Sequence, residues 1–208
     1  MVTTVTEVTV NKMNRGLRNN NPLNIRRSAD RWQGARAEQT DPSFVQFESM
    51  AYGYRAAWKV LESYWKHFHQ TRQFFTVEGI IRRWAPPKEN DTESYIRTVL
   101  QLTALGGKER LPRPFQGYML EKLARLLAAM TVVECGTPYN EVNWDAIWEG
   151  YDLAFPGKRI TRAGHIRSTE PLIIQPVQVP KNEDKILRDW DEYWDWKAGM
   201  KNHWKAKA

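Results

Sequence analysis

Long apolar runs are missing from this chain. No stretch of about 18 apolar residues occurs, so no transmembrane helix is expected. The best run, Leu123 to Val133, is short and carries Arg125. Cysteine is nearly absent. Cys135 stands alone, which excludes an intramolecular disulfide and fits synthesis in a reducing cytoplasm. A single cysteine after a helical stretch reads as a small buried apolar group. The four histidines (His67, His69, His165 and His203) form no partner set that would activate it as a nucleophile. Metal-ligand spacings, a phosphate-binding glycine loop and a dinucleotide-binding glycine pattern are all lacking, so neither metal nor cofactor is expected. His67 and His69 lie two apart on an expected helix and so face different directions.

Acidic residues are scarce near the start. Lys12, Arg15, Arg18, Arg26, Arg27, Arg31 and Arg36 face a single acid, Asp30, between positions 12 and 36. The net charge is +7. Such a balance favours acidic partners, whether nucleic acid, anionic cell-wall polymers or membrane surfaces, without choosing among them. Nothing beyond charge points to nucleic acid, which is therefore not expected as a partner.

What is present is helical periodicity and a dense aromatic load. Residues 1–14, rich in alternating Val and Thr, read as an extended arm. Residues 15–27, with four asparagines, a glycine and a proline, form the densest turn signal. Residues 28–48 read as short strands around a turn, a small β-hairpin. Helices are expected over about 50–69 behind Ser49, from Val77 to Trp84 behind Thr76, and over about 92–105 behind Asp91 or Thr92. Two more are expected over about 115–134 and from Asn143 to Tyr151. Pro86-Pro87 and Gly106-Gly107 are read as stops. The expectation is a mainly α (α+β) domain over 15–157. An extended, proline-bearing linker over 158–181 and a helical tail over 182–208 follow, the tail bearing Trp190, Trp194, Trp196 and Trp204.

The segment from Arg15 to Arg26, RGLRNNNPLNIR, gathers amides and guanidinium groups that suit sugar hydroxyls and N-acetyl groups. The same asparagines are also good holders of left-handed turns. Three stretches together resemble the glucosaminidase-type peptidoglycan hydrolases. Asn20 to Arg26 is similar to their NNxFGIK strand. Phe44 to Ser49 is similar to the stretch that opens their long helix. Trp84 to Tyr95 is similar to a lengthened form of their Y-A-x-D-P-x-Y stretch. A closer resemblance is to phage and prophage lysozyme-like proteins with an RGIRNNNPxNIR motif that also carry RWAPPxENxTxxYI. The resemblance covers residues 15 to about 105. It implies a lysozyme-like helical domain that engages bacterial cell-wall glycan and hydrolyses it by general acid catalysis. Carried over residue by residue, it places Asn20, Asn21, Ile25 and Arg26 on the cleft strand and Tyr95 on the tyrosine of the third stretch. A non-catalytic virion or assembly protein that keeps the fold is the alternative.

The resemblance puts the catalytic acid at a helix end about a dozen residues before the asparagines. Glu7 has that distance but lacks the helix, glycines and tryptophan that should surround it. Glu89 is the second candidate, since Pro86-Pro87 pre-positions its loop; pairing with an arginine or helix capping is its competing role. Asp41, with Glu38 nearby, stands in the hairpin where lysozyme-like folds carry a second carboxylate; Asp41-Pro42 is equally a good turn. Two catalytic carboxyls stand roughly 6.5–9.5 Å apart for inversion and roughly 5–5.5 Å for retention, a separation only a fold supplies. For substrate contact the candidates are Asn20, Asn21, Asn24 and Arg26, with Trp32, Trp84 and Tyr95 as aromatics of the type that stacks on sugars or fills a core. The tail helix mixes acids with bases around its tryptophans. Docking in cis or onto a protein partner is therefore expected ahead of binding to anionic lipid. Met1 to Val10 lacks every trait of a secretory signal peptide. Release at lysis or association with a virion is the expected route to a cell wall.

Overall fold

The computed structural model describes residues 14–115 and 120–158. They all lie in the first of the two units into which the chain divides, Met1–Ile173. The N-terminal arm with Glu7, the expected linker and the tryptophan-rich tail fall outside the described residues.

Among the described residues the fold is mainly helical. The order is α1 (Arg15–Arg18), α2 (Met50–Gln70), α3 (Val77–Trp84), α4 (Thr92–Thr103) and α5 (Leu120–Cys135). A 3₁₀ turn (Tyr139–Glu141) and α6 (Trp144–Ala154) complete it. No described helix is long and apolar enough to cross a membrane.

The caps follow the sequence closely. Thr76 accepts from the Gly79 N–H, Asp91 from Ser94 and Asn143 from Ala146, each meeting one orphan donor of a first turn. Ser49 stands at the cap of α2 without a side-chain bond. The stop of α4 differs from expectation. The helix ends at Thr103, and Ala104, left-handed at φ +55°, closes it before the glycines are reached. The Thr103 hydroxyl contributes by accepting from the Leu105 N–H at 3.3 Å.

α5 is the centre of the core. Leu123, Ala124, Leu126, Leu127, Ala128, Ala129 and Met130 are all fully buried, so this helix is covered on nearly every side. Each buried leucine contributes roughly 1.5–3 kcal/mol by leaving water. α5 packs on α4 and α6, and its last turn meets α1. α2 and α6 make the most extensive helix pairing. Gly150 of α6 lies directly against the backbone of α2 at Ala51 and Arg55. This approach lets Trp58 bury fully, donate its indole N–H to the Ile147 carbonyl at 3.0 Å and meet Tyr151 edge to face at 5.0 Å. The Tyr54 hydroxyl pairs with Thr131 at 3.0 Å inside the core.

The region expected as a hairpin is held differently. Residues 26–47 contain two isolated antiparallel bridges, Arg26 with Phe44 and Ala35 with Phe47, and no continuous ladder. Side chains take the place of ladder partners. Asn21 donates to the carbonyls of Ile25 and Val45 at 2.9 and 2.8 Å and accepts from the Ile25 N–H at 2.8 Å. Gln46 accepts from the Thr40 and Asp41 amides, and Gln39 from the Gln46 amide. Once side chains fill these positions, strand-to-strand pairing cannot extend.

Candidate functional site

The site begins with the asparagine-rich turn. Asn14 caps α1 by accepting from the Gly16 N–H at 2.8 Å. Beyond it the chain bends twice through left-handed residues, Asn20 at φ +51° and Asn24 at φ +48°. Asparagine tolerates this conformation better than other side chains that carry a Cβ. Asn20 donates to the carbonyls of Phe47 and Glu48, both at 3.1 Å. The turn rests on α2 at Gly53, where an added Cβ would stand 2.1 Å from the Asn20 carbonyl oxygen. Asn20 and Asn21, expected to face a substrate, both engage their amides in shaping the turn, Asn20 half-buried and Asn21 fully buried.

Asn24 does point elsewhere. Its amide Nδ2 donates to Glu134 Oε2 at 2.9 Å. The other oxygen, Oε1, accepts from the Trp84 indole at 3.2 Å and from the Tyr95 hydroxyl at 3.0 Å. Two stretches far from it in sequence, one with Asn24 and one with Trp84 and Tyr95, thus converge on one carboxylate. Glu134 occupies the last turn of α5, the negative end of the helix, where no basic residue balances it. The three donors supply the balance locally. The residue is half-buried. Burial, then the charge of Glu134, hold the Tyr95 phenol well above its ordinary value, so it stays a donor. The aromatic wall continues outward: Tyr64 meets Trp84 edge to face at 6.2 Å and carries the Arg83 guanidinium at 4.9 Å.

The neighbouring thiol is structural. Cys135 donates to the Pro22 carbonyl at 3.3 Å and ties the end of α5 to the asparagine turn. Burial first, and the Glu134 charge second, push it up to about 12. At neutral pH it stays protonated and cannot serve as a nucleophile.

The expected acids fare unequally. Asp41 is buried and fully engaged. The Arg15 guanidinium grips it with two bonds at 2.6 and 2.5 Å, Asn19 donates at 2.7 Å, and the Ser43 and Phe44 amides donate at 3.0 Å. The Arg15 bonds hold this carboxyl well below the usual carboxylate range, against the cost of burial, with Asn19 and the two amides adding to the effect. A group that keeps its charge so firmly has no proton to give near neutral pH. Asp41 closes the loop over 36–47 rather than doing the acid chemistry expected of it. Asp41→Asn is expected to lower stability by roughly 2–3 kcal/mol, the scale for losing bonds to a charged group. The folded value lies below the unfolded one of about 3.9. The contribution is therefore fully present above about pH 5 and drains away as pH falls through 4 and below. Urea denaturation of both proteins at pH 7 and pH 3 checks this: the gap between them should narrow at pH 3.

Glu89 lies exposed on the loop after α3, in contact with Arg26 at 3.4 Å. Trp32 packs half-buried against the core. Of the residues expected from sequence, Asn24, Trp84 and Tyr95 are brought together, and the group that joins them was missed. Glu134 sits 110 positions after Asn24, whereas the resemblance directed attention upstream of the asparagines. The available signal was local. After Glu121, Glu134 is the only acid in α5, and it stands at the helix end just before Cys135-Gly136.

No family model matches the chain. Over 151 residues it is 35 % identical to Protein P5 of Pseudoalteromonas phage PM2, an alignment that covers 71 % of this chain and 86 % of that protein. With this identity across most of both lengths, the chain belongs to the family of that bacteriophage protein.

Proposed function

We propose that this protein engages the glycan strand of bacterial peptidoglycan and cleaves it, with Glu134 as the general acid. One observation carries the reading: a half-buried carboxylate at a helix end is held by Asn24, Trp84 and Tyr95, an amide and two aromatics of the types that line sugar sites. Glycoside hydrolysis needs a carboxyl fixed beside the bond, able to pass a proton to the leaving oxygen. Donors on both oxygens fix the orientation of the ionised group, and when it carries the proton the Asn24 amide must turn so that Oδ1, which has no partner, accepts it. The half-buried rings of Trp84 and Tyr64 nearby suit the apolar faces of sugar rings. The glucosaminidases that the motifs resemble place their acid at a helix end beside the asparagines, and Glu134 stands in such a place, reached from downstream. Membership of a phage protein family supports action at a cell wall, from a virion or at lysis. The positive net charge favours an anionic wall.

The competing reading is a virion or assembly protein that keeps the fold without catalysis. The saturation of Glu134 by three donors favours it, because a purely structural carboxylate would be held the same way.

Incubation of the protein with purified peptidoglycan separates the two. Release of soluble fragments is expected, and the mass of the new ends identifies the bond and the chemistry. Binding without release favours the assembly reading. Neither binding nor release overturns glycan engagement altogether.

A further inference from the structure

The two segments that hold Glu134 meet again at the surface. Arg26 lies two residues beyond Asn24, and Glu89 five beyond Trp84. Arg26 Nη2 donates to Glu89 Oε2 at 3.4 Å, with side chains 75 % and 64 % exposed. Both stand on fixed bases. Ile25 is turned into the core while Arg26 pairs its backbone with Phe44. Glu89 ends a tight turn, its N–H on the Pro86 carbonyl at 3.0 Å, and Asn90 donates to the same carbonyl at 3.3 Å. The contact itself is poor. A guanidinium presents a planar fork that matches a carboxylate through two parallel bonds. Here it makes one long bond, in contrast to the close two-bond grip of Arg15 on Asp41.

We propose that Arg26 is a carboxylate-binding residue of the glycan site and that Glu89 is its internal stand-in. Glu89 occupies the guanidinium until an acidic group of the substrate displaces it. The inference rests on the glycan reading above and narrows it to strands that bear carboxylates, such as the lactyl and peptide acids of peptidoglycan, over neutral chitin-type chains. An exposed pair shifts an equilibrium by no more than about fivefold, so exchange costs little. A substrate carboxylate free to approach the fork with both oxygens gains more than it displaces.

The test is binding of the full chain to soluble peptidoglycan oligomers and to neutral chitooligosaccharides, by calorimetry at low salt. Both side chains are exposed, so both variants should fold. Glu89→Gln is expected to bind the acidic glycan about two- to fivefold more tightly and the neutral one unchanged. Arg26→Gln should weaken acidic binding by a similar factor, and adding Glu89→Gln to it should then have no effect. If the wild type binds both glycans and neither variant shifts the acidic one, this inference fails while glycan engagement stands. The same holds if Glu89→Gln tightens both glycans equally. A wild type that binds neither glycan removes the parent reading and this inference with it.

Discussion

Glu134→Gln is expected to abolish release of peptidoglycan fragments, by a factor of about 10²–10⁴, while leaving the protein folded. The factor is that of a positioned proton donor. Folding should survive because glutamine keeps the shape and one acceptor. Its oxygen can still receive the Trp84 indole and the Tyr95 hydroxyl that now converge on Oε1. Its NH₂ would face the Asn24 amide, which can turn about and present Oδ1, an oxygen that is buried and without a partner in the native protein. The comparison with Glu134→Ala is informative. That change leaves three donors unmet in a half-buried site, and each costs on the order of 1 kcal/mol or more. Fragment release and thermal unfolding should therefore separate: activity lost in both variants, stability lost mainly in the alanine. Retained activity in Glu134→Gln would sink the assignment, and its loss in Glu89→Gln instead would move the acid to the surface loop.

The second large effect is on folding. Gly150→Ala is expected to destabilise the protein by at least about 3 kcal/mol, the upper range for overpacking a tight contact. The new Cβ would lie 2.7 Å from Tyr54 Cβ and 2.8 Å from both the Ala51 carbonyl oxygen and the Arg55 nitrogen. Two of these are backbone atoms of α2, so no side-chain rotation relieves the clash. The helices must separate, and that loosens the Trp58 indole from the Ile147 carbonyl and from the Tyr151 ring. A fall in Tm on the order of 10 °C follows. Gly106→Ala is the matched control. Its added Cβ meets nothing closer than 3.4 Å, and its effect should stay within about 0.5 kcal/mol. If the two variants melt together, the close helix crossing is not what holds α2 to α6.

Much of the scaffold was legible without a structure. The apolar stripe of Tyr54, Ala57, Trp58, Leu61, Trp65 and Phe68 marked the inner face of α2; five of the six are buried, and Trp65 is half-buried against the core. Thr76, Asp91 and Asn143 announced helix starts and cap them by hydrogen bonds. Asn24, Trp84 and Tyr95 were singled out from motif and residue type, and they share one partner. The loop over 28–48 was less legible. Its alternation suggested strands, but Asn21, Gln39 and Gln46 compete for the backbone groups a ladder would use.

The sequence by itself determined where the helices begin and which of their faces turn inward, because capping and periodicity act over a few residues. It also determined that the asparagine-rich segment must be a bent turn. Only the tertiary structure decided which acid stands beside that turn. Asp41 lies 20 positions after Asn21 but is consumed by Arg15 and Asn19, whereas Glu134 arrives from α5, 110 positions after Asn24. A carboxylate's role depends on which donors surround it and how far water is excluded. Those are set by packing between distant segments, and no local pattern records them.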